Sequence, residues 1–111
     1  MVSNNTCQMV GKGYCPCPLE DIAGALSKKW TLTILVTIGN FGTIRFNELL
    51  SKIKINPKTL SDRLKELKQM TLIKRKSYPE IPPRVEYSLT KKGSTLRKAT
   101  IPLMKWANKQ I

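Results

Sequence analysis

The sequence has no histidine and only seven Asp and Glu side chains in 111 residues. Without an imidazole, acid–base chemistry would rest on those few carboxylates, and none of them stands beside a plausible nucleophile. A Gly-rich loop that could cradle phosphates is missing too, so enzyme activity is not expected. No apolar run approaches the roughly 20 residues that cross a bilayer. The opening Met1-Val-Ser-Asn-Asn-Thr6 lacks a charged stretch followed by an apolar one, so it does not read as a signal peptide, and a cytoplasmic protein is expected. Cysteine is scarce and odd in number: Cys7, Cys15 and Cys17. That count argues against a secreted disulfide scaffold. It also falls one short of the four ligands of a structural zinc site, so neither a metal nor any other cofactor is expected.

What the chain does have is positive charge. Twenty Lys and Arg side chains set the formal net charge at +13. A folded domain this basic is expected to bind a polyanion, because its summed field attracts one over the whole surface. Thermophile-type Lys enrichment would bring matching Glu, and the Glu is missing. Between residues 52 and 98 fourteen Lys and Arg face four Asp and Glu, a net +10, so most of the charge lies in one half of the chain.

The length fits one domain, read as a flexible arm over residues 1–16 and a folded domain over 17–111. A hydrophobic fraction of 41% supports only a small core and leaves apolar helix faces for a partner subunit. Pro18 suits the first position of a helix, with Glu20 and Asp21 near its positive end and Ile22, Ala25 and Leu26 as its stripe. Lys29 to Ile38 is apolar on nearly every side, through Trp30, Leu32, Ile34, Leu35, Val36 and Ile38, and reads as the central core helix. Gly39 and Gly42 are both available to end it. Thr43-Ile44-Arg45 can form only a short extended piece. A short helix over Phe46–Ser51 and a turn over Lys52–Ile55 follow.

Asn56-Pro57 marks a sharp helix start, Asn as N-cap and Pro at the first helical position. The helix 57–69 has Leu60, Leu64 and Leu67 on one stripe and Lys58, Asp62, Lys65 and Gln69 opposite. Leu72–Tyr78 and Val85–Leu89 then read as the strands of a hairpin around the stiff Pro79–Pro83 loop. Thr90 caps a last helix running to about Ile111, in which Pro102 predicts a kink or a break.

Short helix, turn, capped helix and basic hairpin, in that order, make the fold class mainly α with a small β-hairpin: a winged helix-turn-helix. A single helix fits the major groove of duplex DNA, and its first turns approach the base edges. Lys58, Thr59, Ser61, Asp62 and Lys65 are candidates for base edges or nearby phosphates, with Asn56 at the cap. Asp62 either accepts from a cytosine amino group or orients a neighbouring cation, and Arg63 either binds phosphate or braces Glu66. Arg45 and Asn47 are candidates for backbone phosphates. In the wing, Lys74 and Lys76 share one face and Arg75 takes the other. Arg84, behind Pro82-Pro83 at the wing tip, suits the minor groove. Trp30, Tyr78 and Tyr87 are read as packing residues. An RNA-binding winged helix using the same basic surface is the alternative.

Several segments together resemble the HxlR-type family of regulators. They are Cys17-Pro18-Leu19-Glu20 followed by Lys29-Trp30-Thr31-Leu32, Arg45-Phe46-Asn47-Glu48-Leu49, the run from Pro57 to Leu67, the run from Tyr78 to Thr90, Lys92-Gly93 and the late Trp106. The resemblance implies a homodimer joined through the N-terminal and last helices, with each recognition helix in a major groove. Ile22, Leu26, Leu96, Leu103, Met104 and Trp106 are the expected interface residues. It further implies that Cys17 can act as a redox-responsive thiol, for which Lys28, Lys29 and the start of the N-terminal helix would favour the thiolate. Two departures stand out. Lys54-Ile55-Asn56 replaces a frequent Gly-Ile-Ser, and Thr71 replaces a frequent Gly. A β-branched residue is poor in the left-handed conformation, so the junction at Thr71 is expected to be built differently.

Overall fold

The computed structural model describes residues 26–110 together with positions 16, 18, 22 and 24. Pro18, Ile22, Gly24 and Leu26 are helical. The elements that follow are α1 (Thr31–Phe41), β1 (Thr43–Arg45), α2 (Phe46–Ile53), α3 (Pro57–Gln69), β2 (Ile73–Tyr78), β3 (Arg84–Leu89) and α4 (Lys91–Gln110). The three strands form one antiparallel sheet in the order β1-β3-β2. The short extended piece at residues 43–45 is thus a sheet strand, pairing Ile44 with Tyr87 across β3.

Helix α1 begins two residues later than its apolar pattern suggests. Trp30 holds φ 80°, ψ −14°, a left-handed conformation that no helix interior tolerates, and it stands as the N-cap. Its carbonyl accepts the first intrahelical bond, from Ile34 N at 2.9 Å. Thr31, Ile34, Leu35 and Ile38 are buried, whereas Leu32 and Val36 are only half-buried, so one flank of this helix stays open. Gly39 lies inside the helix, and Gly42 alone ends it, at φ 77°.

The core is Ile34, Leu35 and Ile38 of α1, Ile44, Leu49, Ile55, the α3 stripe Leu60, Leu64 and Leu67, and Leu72 and Ile73. Each stripe leucine is essentially inaccessible. Truncating any one of them to Ala would cost about 2–5 kcal/mol. That burial fixes the rotation of α3 about its axis and turns its opposite face outward.

The α3–β2 junction uses the left-handed conformation after all. Thr71 has φ 59°. Its N–H bonds Lys68 O at 2.9 Å, and Leu72 N bonds Leu67 O at 3.0 Å. This is the Schellman closure that a glycine normally makes. The strain is tolerated because α4 straps the junction. The Thr90 hydroxyl donates to Thr71 O at 2.6 Å and accepts from Gly93 N at 3.1 Å, so it caps α4 and holds the turn at once. Thr90 N bonds Leu72 O at 3.1 Å, and Lys92 Nζ reaches Met70 O at 3.2 Å. Gly93 permits this approach, since a Cβ there would stand 2.0 Å from Leu72 O.

Pro102 does not break the last helix, which runs through it from Lys91 to Gln110. Gly93 and Thr100 are buried, and Leu96 packs against the core. The first half of α4 is therefore a core element. In its second half Leu103 and Trp106 are 54% and 60% exposed.

Candidate nucleic-acid interface

Asn56 closes the start of α3 as its sequence suggests. Its Oδ1 accepts from Lys58 N at 2.8 Å and from Thr59 N at 3.4 Å. With Pro57 next and the leucine stripe inward, Lys58 and Lys65 are exposed and Ser61 and Asp62 half-exposed on the outer side. Lys58 Nζ lies 3.8 Å from Asp62 Oδ2, one helical turn on. Such an exposed pair contributes only about 0.3–0.5 kcal/mol. Asp62 thus stands beside a cation that remains able to leave it.

Arg63 makes the second of the two contacts open to it in sequence, the one to Glu66. Its Nε donates to Lys29 O at 3.1 Å and its Nη1 to Glu66 Oε1 at 3.0 Å. Lys28 Nζ joins the same Glu66 oxygen at 3.2 Å. Of the two roles open to Arg63, bracing Glu66 is the one the geometry shows. The cluster ties α3 to the segment before α1. The same contacts commit Lys28 to Glu66, while Lys29 Nζ sits 5.1 Å from the centre of the Trp30 ring.

Arg45 and Asn47 are exposed at the start of α2, where Arg45 N donates to Glu48 Oε1 at 3.1 Å. They share a cleft of about 520 Å³ with the wing loop, including Glu80 and Pro83. Arg84 is not at the wing tip. It is the first residue of β3, stacked 4.0 Å from the Tyr78 ring centre and held by Glu80 at 3.3 Å and Glu86 at 3.8 Å. The fully exposed tip residue is Ile81.

The β2–β3 register separates the wing cations. Arg75 lies opposite Tyr87, on the sheet face that carries buried Ile44 and Ile73. Lys74 and Lys76, opposite Ser88 and Glu86, occupy the other face. Arg75 therefore turns toward α3, where it shares a cleft of about 340 Å³ with Ser61, Leu64, Lys65, Lys68 and Tyr87. Sequence reading missed Lys68 and Arg75 as candidates, although strand alternation had already put Arg75 on its own face.

Of the expected interface residues, Leu103 and Trp106 are exposed, Ile22, Leu26 and Met104 half-buried, and Leu96 packed on the core. Cys17 lies outside the described residues, as do Cys7 and Cys15. Among the described residues no helix is long and apolar enough to cross a membrane.

A short helix, a turn, a capped helix with its polar face outward and a hairpin pinned beside it define a winged helix-turn-helix protein. Comparison with known proteins makes this specific: the chain belongs to the HxlR-like helix-turn-helix family, whose model matches residues 25–111. It is 46% identical over 82 residues to an HTH-type transcriptional regulator of Halalkalibacterium halodurans, covering 73% of each chain. The reduced form of the Bacillus subtilis transcriptional regulator YodB superposes with a TM-score of 0.73 at 35% identity, over 87% of this chain and 94% of that one. The redox regulator HypR in its oxidized form gives 0.76 at 31% identity, over 84% and 96%.

Proposed function

We propose that this chain is a homodimeric transcriptional regulator that binds duplex DNA sequence-specifically, with α3 in the major groove and the β2–β3 wing along the flanking minor groove. The observation that carries it is the rotation of α3. Burial of Leu60, Leu64 and Leu67 leaves Lys58, Ser61, Asp62 and Lys65 outward on a capped helix beside a cationic hairpin. Lys58, Thr59, Ser61 and Lys65 are the residues proposed to meet base edges or the phosphates beside them. Arg45, Asn47, Lys74 and Lys76 would hold backbone, and Arg84 would exchange Glu80 for phosphate as the wing docks.

A single helix covers few base pairs, so two heads about one helical turn apart are needed for useful specificity. The exposed Leu103 and Trp106, with Met104, Ile22 and Leu26, are the proposed contact between subunits, which makes the operator an inverted repeat. Cys17 is proposed as a redox-responsive thiol. Support comes from the similarity to the redox regulator HypR and from the position of Cys17 in the Cys17-Pro18-Leu19-Glu20 segment.

Footprinting on the DNA flanking the protein's own gene tests the proposal. A protected inverted repeat, competed by duplex DNA but not by RNA of equal length, is the expected result. Equal competition by RNA would replace duplex recognition with RNA binding.

A further inference from the structure

Between α3 and the wing lies a cleft flanking the outward face of the helix. Lys65 and Lys68 stand on its helix side, with Ser61 one turn before Lys65. Arg75 enters from β2, on the core-side face of the sheet. Leu64 and Tyr87 form the floor, buried and half-buried respectively. Three cations thus converge on about 340 Å³ of open space. Among the described residues none of the three has a carboxylate partner, whereas Lys28, Lys58, Arg63 and Arg84 all do. Like charges brought together without a counterion repel one another, and an anion bound among them relieves that repulsion.

Groove geometry says which anion. The major and minor grooves of a duplex are separated by a ridge of sugar and phosphate. If α3 lies in the major groove and the wing in the adjacent minor groove, one ridge must pass through the space between them. The Lys65–Lys68–Arg75 cleft is that space. Arg75 suits the task because its guanidinium can hold two phosphate oxygens at once, while the two lysines act as point charges.

We propose that this cleft is a binding site for the backbone phosphates of one DNA strand, clamped between Lys65 and Lys68 of the helix and Arg75 of the wing. It rests on the duplex-binding function proposed above. The site holds the duplex and fixes the angle between helix and wing, but reads no base.

The experiment measures duplex affinity against salt for the wild type, Arg75→Gln, Arg75→Lys and a distant control of equal charge change, Lys109→Gln. Each phosphate contact contributes about −0.9 to the slope of log affinity on log salt. Arg75→Gln should make the slope shallower by about 0.9 per head, or about 1.8 per dimer, and weaken operator and random duplex by the same factor. Arg75→Lys should recover most of the slope, and Lys109→Gln should leave it unchanged. Arg75 lies outside the core, so all four proteins should melt alike. A steep wild-type slope that Arg75→Gln leaves intact overturns this proposal alone. A loss confined to the operator also overturns it, because that would make Arg75 a base reader. A wild-type slope shallower than about −2 overturns duplex binding and the clamp together. Titration with inorganic phosphate separates the remaining source of the same chemistry. Saturation at micromolar phosphate with an unchanged DNA slope would assign the cleft to a free anion, against the proposal.

Discussion

The hydroxyl of Thr90 donates to the carbonyl of Thr71 at 2.6 Å, joining the end of α3 to the start of α4. Thr71 sits at φ 59°, where a β-branched side chain costs on the order of 1 kcal/mol or more. Thr71→Gly should therefore raise stability by about 0.5–1 kcal/mol. The conformational gain is partly offset by the greater freedom glycine gives the unfolded chain. The carbonyl that Thr90 binds belongs to the backbone and survives the change. Urea unfolding measures the effect, and a destabilised Thr71→Gly would show that the threonine side chain matters more than the strain.

Gly93→Ala should do the opposite. An added Cβ would stand 2.0 Å from the backbone oxygen of Leu72, and neither partner is a flexible side-chain end that can yield. A loss of about 2–4 kcal/mol is expected, in the range of severe steric mutants, and is read from the denaturation midpoint. A variant as stable as the wild type would mean that α4 docks less closely than described.

Lys58→Ala separates recognition from attraction. Lys58 is the most exposed cation on the first turn of α3, with 86% of its side chain accessible. Loss of a base contact should weaken the operator by about 1–3 kcal/mol and random duplex much less. Equal losses on both, in a gel-shift titration, would confine Lys58 to phosphate.

The dimer is tested by point changes rather than by removing the last helix. Deletion after Leu89 would also remove Gly93, Leu96 and Thr100, which pack against the body of the domain. Leu103→Glu combined with Trp106→Ser touches only exposed positions. Sedimentation of the wild type should give a dimer at micromolar concentration, and the double variant a folded monomer. A monomeric wild type would end the two-headed model.

The thiol is tested by diamide. Treatment should change the operator affinity of the wild type and leave Cys17→Ser unaffected. If the two respond alike, Cys17 is not the sensor, and the dimer and the duplex interface stand as before.

Much of this architecture was legible in the sequence because local chemistry decided it. Asn56-Pro57 fixed the start of α3, and the spacing of Leu60, Leu64 and Leu67 fixed its buried face. The prolines between residues 79 and 83 placed the wing loop. What escaped was decided by partners distant in the chain. Three residues at 43–45 carry no periodicity, and their strand exists only because β3 lies beside them. Arg63 turns to Lys29 O through a contact that no pattern encodes. Trp30 and Thr71 adopt backbone conformations that their propensities oppose, each held by its surroundings. The split of α4 into a core half and an exposed half depends on which residues meet α1 and the sheet. Leu96 and Leu103 look alike in sequence and end in different places.

The strand order β1-β3-β2 has a bearing on solubility. With β3 in the middle, the sheet has two edges open among the described residues, and the one on β1 is only three residues long. The other belongs to β2, the longer and more hazardous of the two, since an unpaired edge invites a second molecule to add a strand. That edge carries Lys74, Arg75 and Lys76 in succession, all exposed. Two such edges cannot approach without setting six positive charges against one another. The cations that give the wing its positive field therefore also keep it from pairing with copies of itself at high concentration.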